Sequence, residues 1–230
     1  MGMNAEVKPQ FFWRDASFAE RAAELLRRVD YRRADTPEQR ETIFRLRYDA
    51  YRRDDAIAPD RLGRVSDCYD DGANVHHLAL YVDGELASAL RLHVGSAQNP
   101  DSSALKVFQA YQRTELESGK LYIGTSYVVA DEKFARHYRQ LPYLTLRLSV
   151  LAAEYFGASE CLIAASSEQR VFYERAFNYQ TIGEPRLCPP LLRPISVMAL
   201  HFPVAAAELY RRYPFFRSSA FERRRLFERE

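Results

Sequence analysis

The chain has 230 residues, 47% hydrophobic and 28% charged, with 33 Lys and Arg against 31 Asp and Glu for a net charge of +2. That size and mixture suit a folded protein with a full core and exclude a disordered chain; the near balance of charge gives no electrostatic ground for nucleic-acid binding. Three cysteines, Cys68, Cys161 and Cys188, form no CxxC pair and leave one over in any pairing, so a reduced, cytoplasmic setting is expected. The N-terminal region has no continuous apolar run, and no stretch approaches the roughly 20 apolar residues of a spanning helix.

Phe18, Ala22, Leu25 and Leu26 recur at helical spacing over 17–28, and 29–34 reads as a short strand. Thr36 can cap a helix, Pro37 can take its first position and Gln39 can complete a capping box, which predicts a helix over 37–53. Residues 54–72, with Pro59 and Gly63, read as a loop. Strands over 75–82 and 85–94 meet at Asp83-Gly84, a hairpin signal. A loop and short helix near 104–112 precede a strand over 121–129. Pro142 opens a helix with a Leu144, Leu148, Leu151 and Tyr155 stripe, which Gly157 closes. A buried strand over 161–165, a helix over 167–177 and a strand over 195–202 follow, then a helical tail interrupted at Pro214. This order predicts an α/β fold, a mixed sheet with helices on both faces. The chain divides into a helical arm (1–28), the α/β domain (29–203) and a tail (204–230). In the tail Arg211, Arg212, Arg217, Arg223, Arg224, Arg225 and Arg229 interleave with aromatic residues.

Four features carry chemistry. Arg47 shares the inward face of helix 37–53 with Ile43, Leu46, Ala50 and Tyr51. It requires a buried polar partner there, or a packed stem with its head in solvent. Asp67-Cys68-Tyr69-Asp70 sets two carboxylates three apart in a loop, where aspartates also simply make turns. Arg91 alternates with a leucine face, beside small alanines that leave room for solvent or a cleft. Tyr173 sits early in a helix that follows a buried strand, where open α/β sheets bind ligands, or it is core packing.

Together these residues resemble the N-terminal half of the autoinducer (acyl-homoserine-lactone) synthases, in Arg47-Tyr48-Asp49-Ala50-Tyr51, Asp67-Cys68-Tyr69-Asp70 and Leu90-Arg91-Leu92. The "RLRYDAY" and "DGELASALRLHV" segments look closer to the related N-acyl amino acid synthases. The "VFYERAFNY" segment resembles the acyl-CoA half of the GNAT acyltransferase superfamily. The resemblance spans about 30–202. It departs on the strand Tyr122-Ile123-Gly124-Thr125-Ser126-Tyr127, which lacks the glutamate and arginine of autoinducer synthases, and at Ile57, where those enzymes carry tryptophan. Both departures favour plain amide formation over lactone formation.

The resemblance implies a GNAT-like central twisted mixed sheet and direct aminolysis of an acyl thioester, with no permanently bound cofactor and no metal. A backbone N–H near Val128 or Val129 would bind the oxyanion, Tyr173 would protonate the leaving sulfur, and Asp67 or a backbone carbonyl through water would act as base. Arg47, Tyr51, Asp70 and Arg91, with Thr125 and Ser126, would hold a small-molecule amine, an amino acid or similar. The segment 136–142 lacks the Gly-rich phosphate cradle of ordinary GNAT enzymes, which favours acyl carrier protein over CoA as donor. The basic tail could receive that acidic protein, touch a membrane surface, or simply dock on the fold. An acetyl-CoA-dependent acetyltransferase and a non-catalytic acyl-thioester or lipid-binding relative are the competing readings.

Overall fold

The computed structural model describes residues 17–96, 99 and 119–228; the helix expected near 104–112 lies outside them, as does Arg229. Helices begin where the sequence supplies caps. Ser17 and Glu20 close a reciprocal capping box on α1 (Phe18–Leu26). Thr36 and Gln39 do the same on α2 (Pro37–Arg53), with Pro37 in its first turn.

Seven strands form one sheet: β1 (Val29–Arg33), β2 (Val75–Val82), β3 (Glu85–Gly95), β4 (Tyr122–Ala130), β5 (Glu160–Ser166), β6 (Gln180–Leu187) and β7 (Pro194–His201). Their spatial order is β1-β2-β3-β4-β5-β7-β6. Every neighbouring pair is antiparallel except β4 and β5. Asp83 (φ 50°) and Gly84 (φ 86°) make the left-handed turn of the β2–β3 hairpin.

Helix α3 (Glu132–His137) leads into α4 (Leu141–Phe156), and α5 (Ser167–Phe177) follows β5. Helix α4 covers one face of the sheet, where Leu90, Leu92 and Ile123 join Leu144, Leu148 and Leu151 in the main core. On the other face Ile43, Leu46 and Ala50 of α2 pack on Ala79, Ala89 and Val129. The small alanines of β2 and β3 leave space for this helix, not for solvent.

After β7 come α6 (Phe202–Arg212), a 3-10 turn at Pro214–Phe216 and α7 (Ala220–Phe227). Tyr213, Phe215, Phe216, Leu226 and Phe227 all enter the main core cluster. Arg147, buried on α4, fixes this tail. Its Nε donates to Phe215 O (2.7 Å), and its Nη2 donates to Arg217 O (2.7 Å) and Glu222 Oε2 (2.9 Å). Among the described residues no helix is long and apolar enough to cross a membrane.

Two elements were not foreseen from the sequence. Strand β6 is exposed along nearly its whole length and carries Gly183 and Pro185, so it shows no alternation. Helix α3 has six residues, fewer than two turns, and depends on Asp131, which accepts from Lys133 and Phe134 N–H.

Candidate active site

The parallel pair at the centre of the sheet is short. Register runs from Tyr122↔Glu160 to Thr125↔Ile163 and then stops, so the last residues of β4 and β5 diverge. At that point β4 bulges. Ser126 stands opposite Arg91 and Val129 opposite Ala89, which leaves Tyr127 and Val128 against Leu90 alone. Tyr127 adopts φ 50° there, a left-handed conformation rare for a bulky side chain. Strain of this kind persists only where the surroundings enforce it.

The enforcement is a buried charged cluster. Two guanidiniums lie against the Tyr127 ring, with Arg47 Cζ 4.4 Å and Arg91 Cζ 4.5 Å from its centroid. Its hydroxyl donates to Asp67 Oδ2 at 2.9 Å. Arg91 donates from Nη1 to Asp67 Oδ1 (2.5 Å) and Asp70 Oδ1 (2.8 Å), from Nη2 to Asp67 Oδ2 (3.0 Å), and from Nε to Ser126 Oγ (3.1 Å). Arg47 Nη1 donates to Asp70 at 2.9 and 3.1 Å. Arg47 and Arg91 are both 0% exposed. Arg47 therefore has its head in the cluster, not in solvent. The 3-10 turn Cys68–Asp71 presents both aspartates, and Asp67 caps it by accepting from Tyr69 N–H.

Two histidines complete the cluster. His77 Nδ1 lies 3.2 Å from Arg47 Nη2 and so accepts, which leaves Nε2–H to donate to Asp70 O at 2.9 Å. His93 Nε2 donates to Tyr69 O at 3.1 Å. Burial, then the Arg91 charge, lowers the His93 pKa to about 4, and burial likewise lowers that of His77. Both rings are neutral near pH 7. Burial opposes ionisation of Asp67 and Asp70, yet the hydrogen bonds and charges of Arg91 and Arg47 outweigh it and hold both below the usual carboxylate range.

The divergent strands open onto a cavity of about 870 Å³. From the β4 side Tyr51, Asp67, Ser126 and Tyr127 line it; from the β5–β7–β6 side come Ser166, Ile195, Arg186 and Arg193, with Leu187 at the end of β6 and Pro189 and Leu191 in the connection to β7. Of the four charged residues singled out in the sequence, only Asp67 lines the cavity, its side chain 25% exposed. Asp67 accepts four hydrogen bonds, from Tyr69 N–H, Tyr127 and both Arg91 Nη atoms. A carboxylate with its lone pairs taken and its pKa lowered is a weak proton acceptor.

The other candidates separate. Tyr51 lines the cavity, packs edge-on against Tyr127 (5.9 Å) and has its phenol pKa pushed up to about 12 by burial. Thr125 points to the opposite face, where its Oγ1 lies 3.0 Å from Ser149 Oγ on α4. Tyr173 is buried among Phe172 (5.3 Å) and Tyr179 (6.1 Å), away from the cavity lining. Burial and then the nearby Tyr51 keep its phenol protonated. Sequence reasoning missed Tyr127, His77, Arg186 and Arg193. Alternation along β3 puts His93 on the face of Arg91, but His77 is opposite Arg91 only once the β2–β3 register is known.

A mixed sheet whose parallel pair splays beside a bulged strand, open to a large cavity, is a GNAT-like fold. The model of the family described as N-acyl amino acid synthase FeeM matches residues 42–201. The chain belongs to that family and is an N-acyltransferase. Its fold is similar to that of FeeM, an N-acyl amino acid synthase from uncultured soil microbes (15% identity, TM-score 0.64, covering 78% of this chain and 94% of that one). It is also similar to the CoA-dependent acyl-homoserine lactone synthase MesI (16%, TM-score 0.56, 84% and 97%). A third likeness is to an acyl-CoA N-acyltransferase from Pseudomonas aeruginosa (19%, TM-score 0.50, 74% and 98%). The sequence matches none of the curated proteins.

Proposed function

We propose that the protein moves a long acyl chain from the phosphopantetheine thioester of acyl carrier protein to the amine of an amino acid, by direct aminolysis. The observation that carries this reading is the bulge at Tyr127–Val128 facing the splay between β4 and β5. Val129 is already in register with Ala89, which leaves the Val128 N–H in the bulge as oxyanion donor. The neutral amine attacks the thioester carbon, the tetrahedral oxyanion is held by that N–H, and the C–S bond breaks to release the thiolate. The charged cluster acts as a buttress that fixes Tyr127, Ser126 and Asp67 at the cavity wall. With Asp67 saturated, the proton that the amine nitrogen loses is relayed through cavity water to the departing thiolate, so amide and free thiol form with no proton left over. A cavity of about 870 Å³ with apolar Leu187, Pro189 and Leu191 on its wall suits a long acyl group better than acetyl.

The start of α4 supports the carrier-protein donor. Leu141 N–H donates to Tyr138 O (3.0 Å), Pro142 has no N–H, and Tyr143 N–H donates to Gln140 O (3.1 Å). A pyrophosphate needs several free N–H groups at such a helix start, whereas a pantetheine arm on a carrier protein brings one phosphate. The exposed tail residues Arg224 and Arg225 make only surface pairs, with Glu228 (3.9 Å) and Asp30 (3.5 Å), which an acidic partner can replace, while Arg223 is committed to Glu154 (2.8 Å). The test offers one acyl chain on carrier protein and on CoA, with a panel of amino acids, following free thiol and amide by mass spectrometry. Carrier-protein turnover should be at least about tenfold more efficient and should fall steeply with salt. Equal or better use of CoA would overturn the donor assignment, and absence of amide from either donor would overturn the reaction.

A further inference from the structure

The arginines that the sequence offers for an acceptor carboxylate are not available to it. Arg47 and Arg91 are 0% exposed, and neither lines the cavity. Hydrogen bonds to Asp67, Asp70, Ser126, His77 and Val65 O hold both heads inside the protein. Among the described residues, the cationic side chains that line the cavity are Arg186 and Arg193. Arg186 pairs in register with Ile195 of β7, and Ile195 pairs with Ser166 of β5. These three cavity-lining residues form a row leading across the sheet to the mouth of the splay. Neighbouring strands lie about 4.8 Å apart, so the long Arg186 side chain starts roughly two strand spacings from the edge of the reaction site. Arg193, just before β7, meets Glu168 at 3.4 Å, with the two side chains 49% and 61% exposed. An exposed pair of that kind contributes little and gives way readily to a better-placed carboxylate.

We propose that Arg186 and Arg193 form the subsite for the acceptor's carboxylate, so that the enzyme selects α-amino acids over uncharged amines. This assignment rests on the aminolysis reading given above and adds the groups that recognise the acceptor. The amine end then points toward the bulge of β4, with the carboxylate end under the β6–β7 connection.

The test compares an α-amino acid with its carboxamide, which keeps side chain and amine but removes the negative charge. The readout is the ratio of kcat/KM for the two acceptors in wild type, Arg186→Gln, Arg193→Gln and the double variant. The wild type should prefer the acid, and each substitution should lower the ratio by about 10- to 100-fold, the range of a charge-assisted hydrogen bond. Glu168→Gln, which removes the competitor for Arg193, should leave the ratio unchanged or raise it. A ratio unmoved by both arginine substitutions, or a wild type that acylates the carboxamide as efficiently as the acid, would overturn the subsite while leaving acyl transfer intact. Failure of both acceptors with every variant would instead count against the reaction itself.

Discussion

Arg91 shows how far one residue's role can shift once its neighbours are known. The sequence marks it as a charge on the less apolar face of a strand; it sits at 0% exposure between Asp67 and Asp70. Removing one partner of a buried pair strands the other, so Arg91→Ala should destabilise the fold by about 3–5 kcal/mol in urea unfolding, besides lowering acylation. Stability within about 0.5 kcal/mol of wild type would show that the cluster is no buttress. His93 makes a separate statement about pH. Its ordinary pKa near 6.5 falls to about 4 in the fold, so between those values the unfolded chain binds a proton the folded chain refuses. Stability is complete above about pH 6.5 and is lost as pH falls toward 4, by on the order of 3 kcal/mol. Asp67 and Asp70 stay ionised over that window, so the loss belongs to histidine. His93→Gln should make the dependence of the urea midpoint on pH shallower; an unchanged slope would assign it elsewhere. Tyr173, which the resemblance casts as the acid for the leaving sulfur, lies outside the cavity lining, so Tyr173→Phe, which fills the same buried space, should leave the rate of thiol release nearly unchanged. A loss of roughly 10²-fold would restore the phenol as the proton donor.

At the level of elements, α2 and the β2–β3 hairpin were legible because each carries a local signal that packing reinforces. Thr36, Pro37 and Gln39 start the helix, and Asp83-Gly84 makes the turn. Convergence of Arg47, Asp67, Asp70 and Arg91 could be anticipated by resemblance, yet their saturation could not, since it depends on Tyr127 and His77 arriving from other strands. The bulge in β4 is less visible still. Nothing in Ser126-Tyr127-Val128 resembles the glycine that a left-handed residue normally requires, because the contacts of Tyr127 with Arg47, Arg91 and Asp67 enforce the conformation. Proline is tolerated at bulges, so Val128→Pro offers a way to delete the proposed oxyanion donor. It should lower kcat by about 10²- to 10³-fold with circular dichroism and urea midpoint close to wild type. Retained kcat in the folded variant would move the oxyanion site elsewhere.

For the molecule as a whole, the tail is part of the main core. Its arginines read as a basic surface, but Arg211 pairs with Glu208, Arg212 donates to Arg175 O, and Arg223 pairs with Glu154. The mixed aromatic and basic pattern is the same for a docking tail and for an interface, so composition alone does not separate them. Arg147 gives the docking a handle. Arg147→Ala strands Glu222 and two backbone carbonyls and should cost about 3–5 kcal/mol in global unfolding. Fraying of α7 alone, with an unchanged global midpoint, would make the tail an appendage.

The same clamp sets a schedule for birth on the ribosome. The face of α4 that Arg147 shares with Phe215 and Phe216 stays uncovered until the segment ending at Phe227 has been made. At 5–20 residues per second that is an interval of roughly 4–16 s. Contacts such as Arg33 to Leu226 O and Arg225 to Asp30 join regions nearly 200 positions apart, about 193 and 195. A nascent chain paused inside that interval exposes the apolar stripe that chaperones of the holding type recognise, and closure of the core coincides with arrival of its last aromatic side chain.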